Sequence, residues 1–150
     1  MKNPPVDPWL LEYNALIHDN DSLYRAAARR LGVSDCTLWI LYSLRAESQP
    51  LTQKRLCGLM YLPKQTVNSA LKAMEAEGTI TLSAGDDRRT RVISLTETGE
   101  ELARRTADRV VLAEEQALAG MGQEERGRFL RDYRKFTDLL RQAMSQWDQS

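Results

Sequence analysis

Between Leu51 and Thr96 the residues spell out, in order, a short helix, a turn, a longer helix, a strand, a basic loop and a returning strand. Few small folds accommodate that succession. The first helix is expected over Thr52-Gln53-Lys54-Arg55-Leu56-Cys57-Gly58-Leu59-Met60. Tyr61-Leu62 then turns the chain into Pro63, which suits a first helical position because its ring pre-sets φ and the N–H it lacks would have no partner there. The second helix is expected to run from Pro63 to Glu77, with Gly78 stopping it in a left-handed conformation. At about 100° per residue, Val67, Ala70, Leu71 and Met74 fall on one side. The opposite pole lies between Gln65, Ser69 and Lys72, with Asn68 on its shoulder, and it carries no carboxylate. Amides of Gln and Asn pair with adenine edges in a major groove, Ser is indifferent to the base, and Lys meets guanine or phosphate. The solvated face of an ordinary surface helix has the same composition, so this helix alone does not decide the function.

The residues that follow do more. Thr79-Ile80-Thr81-Leu82-Ser83 alternates with β-branched residues, as a strand does. Ala84-Gly85-Asp86-Asp87 has a turn composition, Arg88-Arg89-Thr90-Arg91 is a basic run, and Val92-Ile93-Ser94-Leu95 is the partner strand. The arginines therefore sit at or near a hairpin tip, where guanidinium groups can enter a narrow, electronegative minor groove. The whole stretch looks like a winged helix-turn-helix. Asp87-Arg88-Arg89 through Leu95-Thr96-Glu97-Thr98-Gly99 resembles the wing signature of the MarR family: Asp-any-Arg, three residues, an aliphatic, one residue, then Leu-Thr-any-any-Gly. Thr52-Gln53 at the opening and Glu75-Ala76-Glu77-Gly78 at the close of the motif are similar to the family as well. Two departures stand out, Met74 where a leucine is usual and an unusual inter-helix turn at Tyr61-Leu62-Pro63. The specific motifs lie between residues 50 and 99, whereas the length and helix order agree over nearly the whole chain.

The resemblance implies a sequence-specific DNA-binding transcriptional regulator, an operator-occupying repressor whose affinity a small molecule modulates. It assigns Arg89 to the wing-arginine position and Asp87 to the acid that supports it. With the residue-level reading, the expected DNA contacts are Lys64, Gln65, Thr66, Asn68, Ser69 and Lys72 on the second helix and Arg88, Arg89 and Arg91 in the wing. The expected partner is double-stranded DNA carrying a pseudo-palindromic operator. The family habit of binding effectors implies a pocket lined by residues such as Tyr13, Ile17, Trp39 and Tyr42, although aromatic side chains at helical spacing are also ordinary core. The competing reading is a winged-helix protein–protein module without DNA binding.

Outside the motif the fold class is expected to be mainly α, with the small antiparallel β-hairpin as its wing. From Trp9 a helical pattern runs through Leu10, Tyr13, Ile17, Tyr24, Ala28 and Leu31 to Gly32, either continuous or bent at Asp19-Asn20-Asp21-Ser22. Residues 1–8 read as an extended arm. Ser34 can cap the next helix, Asp35 to Glu47, which is apolar almost all round and should be the most buried. After the wing, Thr96 can cap a helix that ends near Gly120. A last helix from about Gln123 places Phe129, Tyr133, Phe136, Leu140, Ala143 and Trp147 at intervals of four and three, a heptad-like seam. Residues 33–96 are expected to form the DNA-binding lobe, and residues 1–32 and 97–150 the helical dimerisation region of a single domain. The wing module should close its own core with Leu56, Leu59, Val67, Leu71, Ile80, Leu82, Ile93 and Leu95. Trp9, Leu10 and Tyr13 at one end and Phe136, Leu139, Leu140, Met144 and Trp147 at the other are then uncovered, and patches of that kind mark interfaces. A homodimer is the expected state.

Charge adds little globally, since 21 basic residues face 21 acidic ones. Within residues 50–96, however, seven cations stand against four anions, a net +3, leaving fourteen against seventeen elsewhere, a net −3. A local positive zone of that kind fits a phosphate-contacting surface. No secretory leader or membrane span is legible, and the chain reads as cytoplasmic. His18 is the one histidine, and no Ser-His-Asp set, glycine-rich phosphate loop or metal-ligand cluster accompanies it. Neither an enzyme, nor a metal, nor a cofactor is expected. Cys36 and Cys57 read as small core residues rather than as redox sensors.

Overall fold

A computed structural model describes residues 5–60 and 62–149, the side chains of the last two excepted. Half of the expected amino-terminal arm, residues 1–4, and Tyr61 of the inter-helix turn thus lie outside the described residues. The described chain forms two compact units, one up to Val110 and one from Val111 onward.

The first unit opens with α1 (Pro8–Leu31), capped by the Asp7 carboxylate, which accepts the Trp9 N–H. The helix runs straight through Asp19–Ser22, whose side chains stay exposed, so the poor helix formers there cost propensity but not continuity. Ser34 accepts the Thr37 N–H and starts α2 (Asp35–Ala46), of which only Asp35 and Ala46 are exposed. A two-residue strand, β1 (Leu51–Thr52), follows, and the Thr52 hydroxyl accepts the Arg55 N–H to start α3 (Gln53–Met60). Then come α4 (Lys64–Ala76), β2 (Ile80–Ala84) and β3 (Arg91–Leu95). Pro63 precedes α4 as its cap rather than sitting inside it. At the other end Gly78, at φ 74°, lets Thr79 donate its N–H back to the Met74 carbonyl, closing α4 without a Cβ penalty.

The expected wing hairpin is present as β2 against β3, and β1 extends it to a three-stranded antiparallel sheet in the order β1-β3-β2. Leu51 faces Ile93 in one ladder and Leu82 faces it in the other, so β3 is central and its edges are both partly closed. One core serves the whole unit: Ala28, Leu38, Ile40 and Leu41 meet Leu51, Leu56, Val67, Leu71, Met74, Ile80 and Ile93, and Leu102 and Ala103 join them from beyond the sheet. Leu59, expected inside, is 41% exposed, because α3 turns that position away from the sheet. Met74 is 1% exposed, so the thioether fills the leucine site without losing burial.

Beyond the sheet, the expected single helix is two. Thr96 caps α5 (Glu97–Arg105), accepting the Gly99 N–H, and α6 (Ala107–Gly120) begins after a break at Thr106. Thr106 lies fully buried at φ −125°, ψ −85°, and its hydroxyl donates to the Leu102 carbonyl. The second unit is dominated by α7 (Gly122–Ser145), followed by a short 3₁₀ turn, Gln146–Gln149. None of the side chains of α7 is buried within the chain.

Candidate nucleic-acid interface

Burying Val67, Leu71 and Met74 leaves only one face of α4 for solvent. Lys64, Gln65, Thr66, Ser69 and Lys72 are exposed on it, and Asn68 is half-buried at its edge. The Ser69 hydroxyl donates to the Gln65 carbonyl 2.9 Å away, so in this state it is folded back onto its own helix. Asn68 is held as well: its side-chain oxygen accepts a hydrogen bond from the Gln53 side-chain amide at the first turn of α3. Gln53 is thus a polar member of this surface that inspection of α4 alone misses. Its place directly after a capping threonine was the available clue.

The wing supplies the cations. Gly85 donates its N–H to the Thr90 carbonyl at 2.9 Å, pinching the loop between β2 and β3. Arg88 and Arg89 project from that loop, and Arg91 begins β3 opposite Ala84. The Asp87 carboxylate accepts the main-chain N–H of Arg89 at 3.2 Å, and its carbonyl accepts the Thr90 N–H at 2.9 Å. Its support of Arg89 therefore runs through the backbone of the turn. Among the described residues, Lys64, Lys72, Arg88, Arg89 and Arg91 form no ion pair. Arg55, by contrast, is neutralised by Glu47 at 2.5 Å, and Arg45 by Glu100 at 2.6 Å and Asp108 at 2.9 Å. Five uncommitted cations on α4 and the wing form the charge pattern a polyanion requires.

One threonine and one glycine join the end of α4 to α5. Thr96 donates to the Gly78 carbonyl at 2.5 Å while capping α5, and its N–H reaches the Thr79 carbonyl at 3.1 Å. Gly99 is buried against that same carbonyl, and a Cβ built on it would stand 1.9 Å from the Thr79 oxygen. The Leu-Thr-any-any-Gly pattern is therefore the joint on which the sheet and the following helix close.

Of the aromatic set, Trp39 and Tyr42 pack edge to face with ring centroids 5.3 Å apart, and Tyr24 packs at a tilt on Trp39, at 5.0 Å. Tyr13 and Ile17 are half-buried further back along α1. The shallow depressions found along α7 involve none of these residues. Burial, then the nearby Cys57, pushes the Cys36 thiol above its ordinary range, which disfavours the thiolate. Among the described residues no cluster of side chains could hold a metal ion, and no helix is long and apolar enough to cross a membrane.

Three comparisons bear on this surface. The MarR family model matches residues 31–90. Over 128 residues the chain is 26% identical to an uncharacterised HTH-type transcriptional regulator, YwoH of Bacillus subtilis (strain 168), with 81% of this chain and 93% of that one covered. In structure it is similar to NMB1585, a MarR family regulator from Neisseria meningitidis, with a TM-score of 0.80 and 25% identity over 93% of this chain and 99% of that one. It also shares its fold with S. aureus MepR in a DNA complex, with a TM-score of 0.70 and 18% identity over 89% and 98% of the two chains. With the wing signature, the helix pair and the three-stranded sheet in place, these likenesses lead to one conclusion: the chain has the winged-helix fold of MarR family regulators, and its residues 31–90 are similar to that family.

Proposed function

We propose that the protein acts as a homodimer that occupies a pseudo-palindromic operator and represses transcription there. In this reading the amino-terminal half of α4 enters the major groove, where Gln65 and Asn68 face base edges and Lys64, Thr66, Ser69 and Lys72 meet phosphates or bases. Arg89 enters the adjacent minor groove, supported by Asp87, with Arg88 and Arg91 on the backbone. The observation that carries this reading is the conjunction of a carboxylate-free reading face with five unpaired cations on α4 and the wing. The structure of the related MepR with DNA supports it by fold.

The homodimer reading draws on two uncovered apolar surfaces. On α1 Trp9 is 79% exposed and Leu10 45%, and on α7 Phe129, Tyr133, Phe136, Leu139, Leu140 and Met144 are all exposed. A small-molecule effector near Tyr13, Ile17, Trp39 and Tyr42 is part of the same proposal and rests on the family habit. Retardation of the promoter region beside the protein's own gene tests the central point. A retarded band that fades with log salt at about −0.9 per neutralised phosphate is expected. No retention of that promoter or of a randomised duplex pool would overturn the reading.

A further inference from the structure

We propose that Gln53 is a positioning residue that decides which way the Asn68 amide points, and with it the base preferred at one operator position. The inference rests on the reading of α4 as the base-reading helix and deepens it. An asparagine amide presents an acceptor or a pair of donors depending on a half-turn of its terminal torsion, and a freely exposed one samples both. Asn68 is not free. Thr52 caps α3 and so places Gln53 at the first residue of that helix, from where its side-chain N–H donates to the Asn68 Oδ1. Both side chains are half-buried, which limits competition from water. Among the described residues nothing else engages the Asn68 Nδ2, so Asn68 offers its donors outward.

A side chain that leads with donors favours acceptors on the base edge: purine N7, guanine O6 or thymine O4. Cytosine, which presents its N4 donor in the major groove, is disfavoured. The preference is therefore written partly on α3, a helix whose own residues need not touch a base. Gln53→Glu gives a sharp inversion. A carboxylate at 53 can only accept, so it draws the Asn68 Nδ2 inward and turns Oδ1 toward the groove, where cytosine becomes the better partner.

The experiment is binding selection from a randomised duplex pool at fixed salt, with the wild type, Asn68→Ala, Gln53→Ala, the double variant and Gln53→Glu. Asn68→Ala identifies the base pair concerned. Gln53→Ala is expected to reduce the preference at that same pair by about fivefold, the scale of one net hydrogen bond. In the Asn68→Ala background it should change nothing further there, and Gln53→Glu should move the preference toward cytosine. Alanine is a good helix former at an amino-terminal turn, and circular dichroism checks that α3 persists. A Gln53→Ala effect spread evenly over all sequences, an effect additive with Asn68→Ala, or an unchanged preference in Gln53→Glu overturns the proposal. If the wild type selects a site and Asn68→Ala leaves every preference intact, the proposal fails while DNA binding stands. If the wild type selects no duplex, both fall.

Discussion

At the residue scale the wing is the sharpest place to test the reading. Arg89 projects from a loop that adds nothing to the core, and its backbone is already fixed by Asp87. Arg89→Ala should weaken operator binding at least about tenfold, since a charged hydrogen bond of about 1.5–3 kcal/mol is lost, and lost twice in the proposed symmetric dimer. Fluorescence anisotropy on a short duplex checks it, with the exposed Arg104→Ala on α5 as the control. Gln65→Ala should instead cost about 1–3 kcal/mol at one base pair if Gln65 makes a bidentate contact. Equal loss on every operator variant would remove it from the base readers. Gly99→Ala tests the fold instead of the site. The added methyl would collide with backbone, not with a side chain that can swing aside, so a loss of about 1–3 kcal/mol or more is expected in a denaturant titration. The glycine was legible in the sequence only as part of a pattern. Its cause, the Thr79 carbonyl, comes from the turn just before β2, twenty residues upstream, and could not be read from spacing.

At the scale of elements, strong local signals were legible and tertiary ones were not. The caps at Ser34 and Thr96, the stop at Gly78 and the two faces of α4 all follow from residues within a turn or two of one another. β1 escaped because two residues carry no periodicity, and they form a strand only where β3 offers an edge. The break at Thr106 escaped because Leu102, Thr106 and Val110 keep helical spacing across it. The device that spans the break is Arg45, which grips Glu100 on α5 and Asp108 on α6 from the end of α2. Burial works against the Arg45 charge, but its hydrogen bonds to Glu100 and Asp108 more than offset this and hold the guanidinium pKa above its ordinary value. The guanidinium is charged at neutral pH in any case, so its raised pKa contributes stability throughout that range, and this contribution is lost in strong alkali as pH rises through the folded value. Arg45→Met should therefore destabilise the protein by about 1–2 kcal/mol, since the three groups are only partly buried. Faster amide exchange over residues 106–110 is expected with it, and unchanged exchange there would deny Arg45 this role.

For the whole molecule, the expected homodimer should appear in light scattering at micromolar concentration, and a particle of single-chain mass would contradict it. Peroxide should not release operator DNA, because burial holds the Cys36 thiol protonated and Cys57 is itself half-buried. Release in the wild type that Cys57→Ser fails to show would refute that. A longer-range consequence comes from α7, a 24-residue helix with no buried side chain of its own. Helical propensity alone holds such a segment only marginally in water. In the proposed homodimer the chain would meter its own abundance: crowded copies would shelter one another's seams, while a sparse population would fray at residues 122–145 and be cut there first. Proteolysis at falling concentration should show cleavage moving into α7 over a narrow range of dilution. Loss of the regulator from a cell would then be abrupt, with each copy destroyed leaving its former companion easier to destroy.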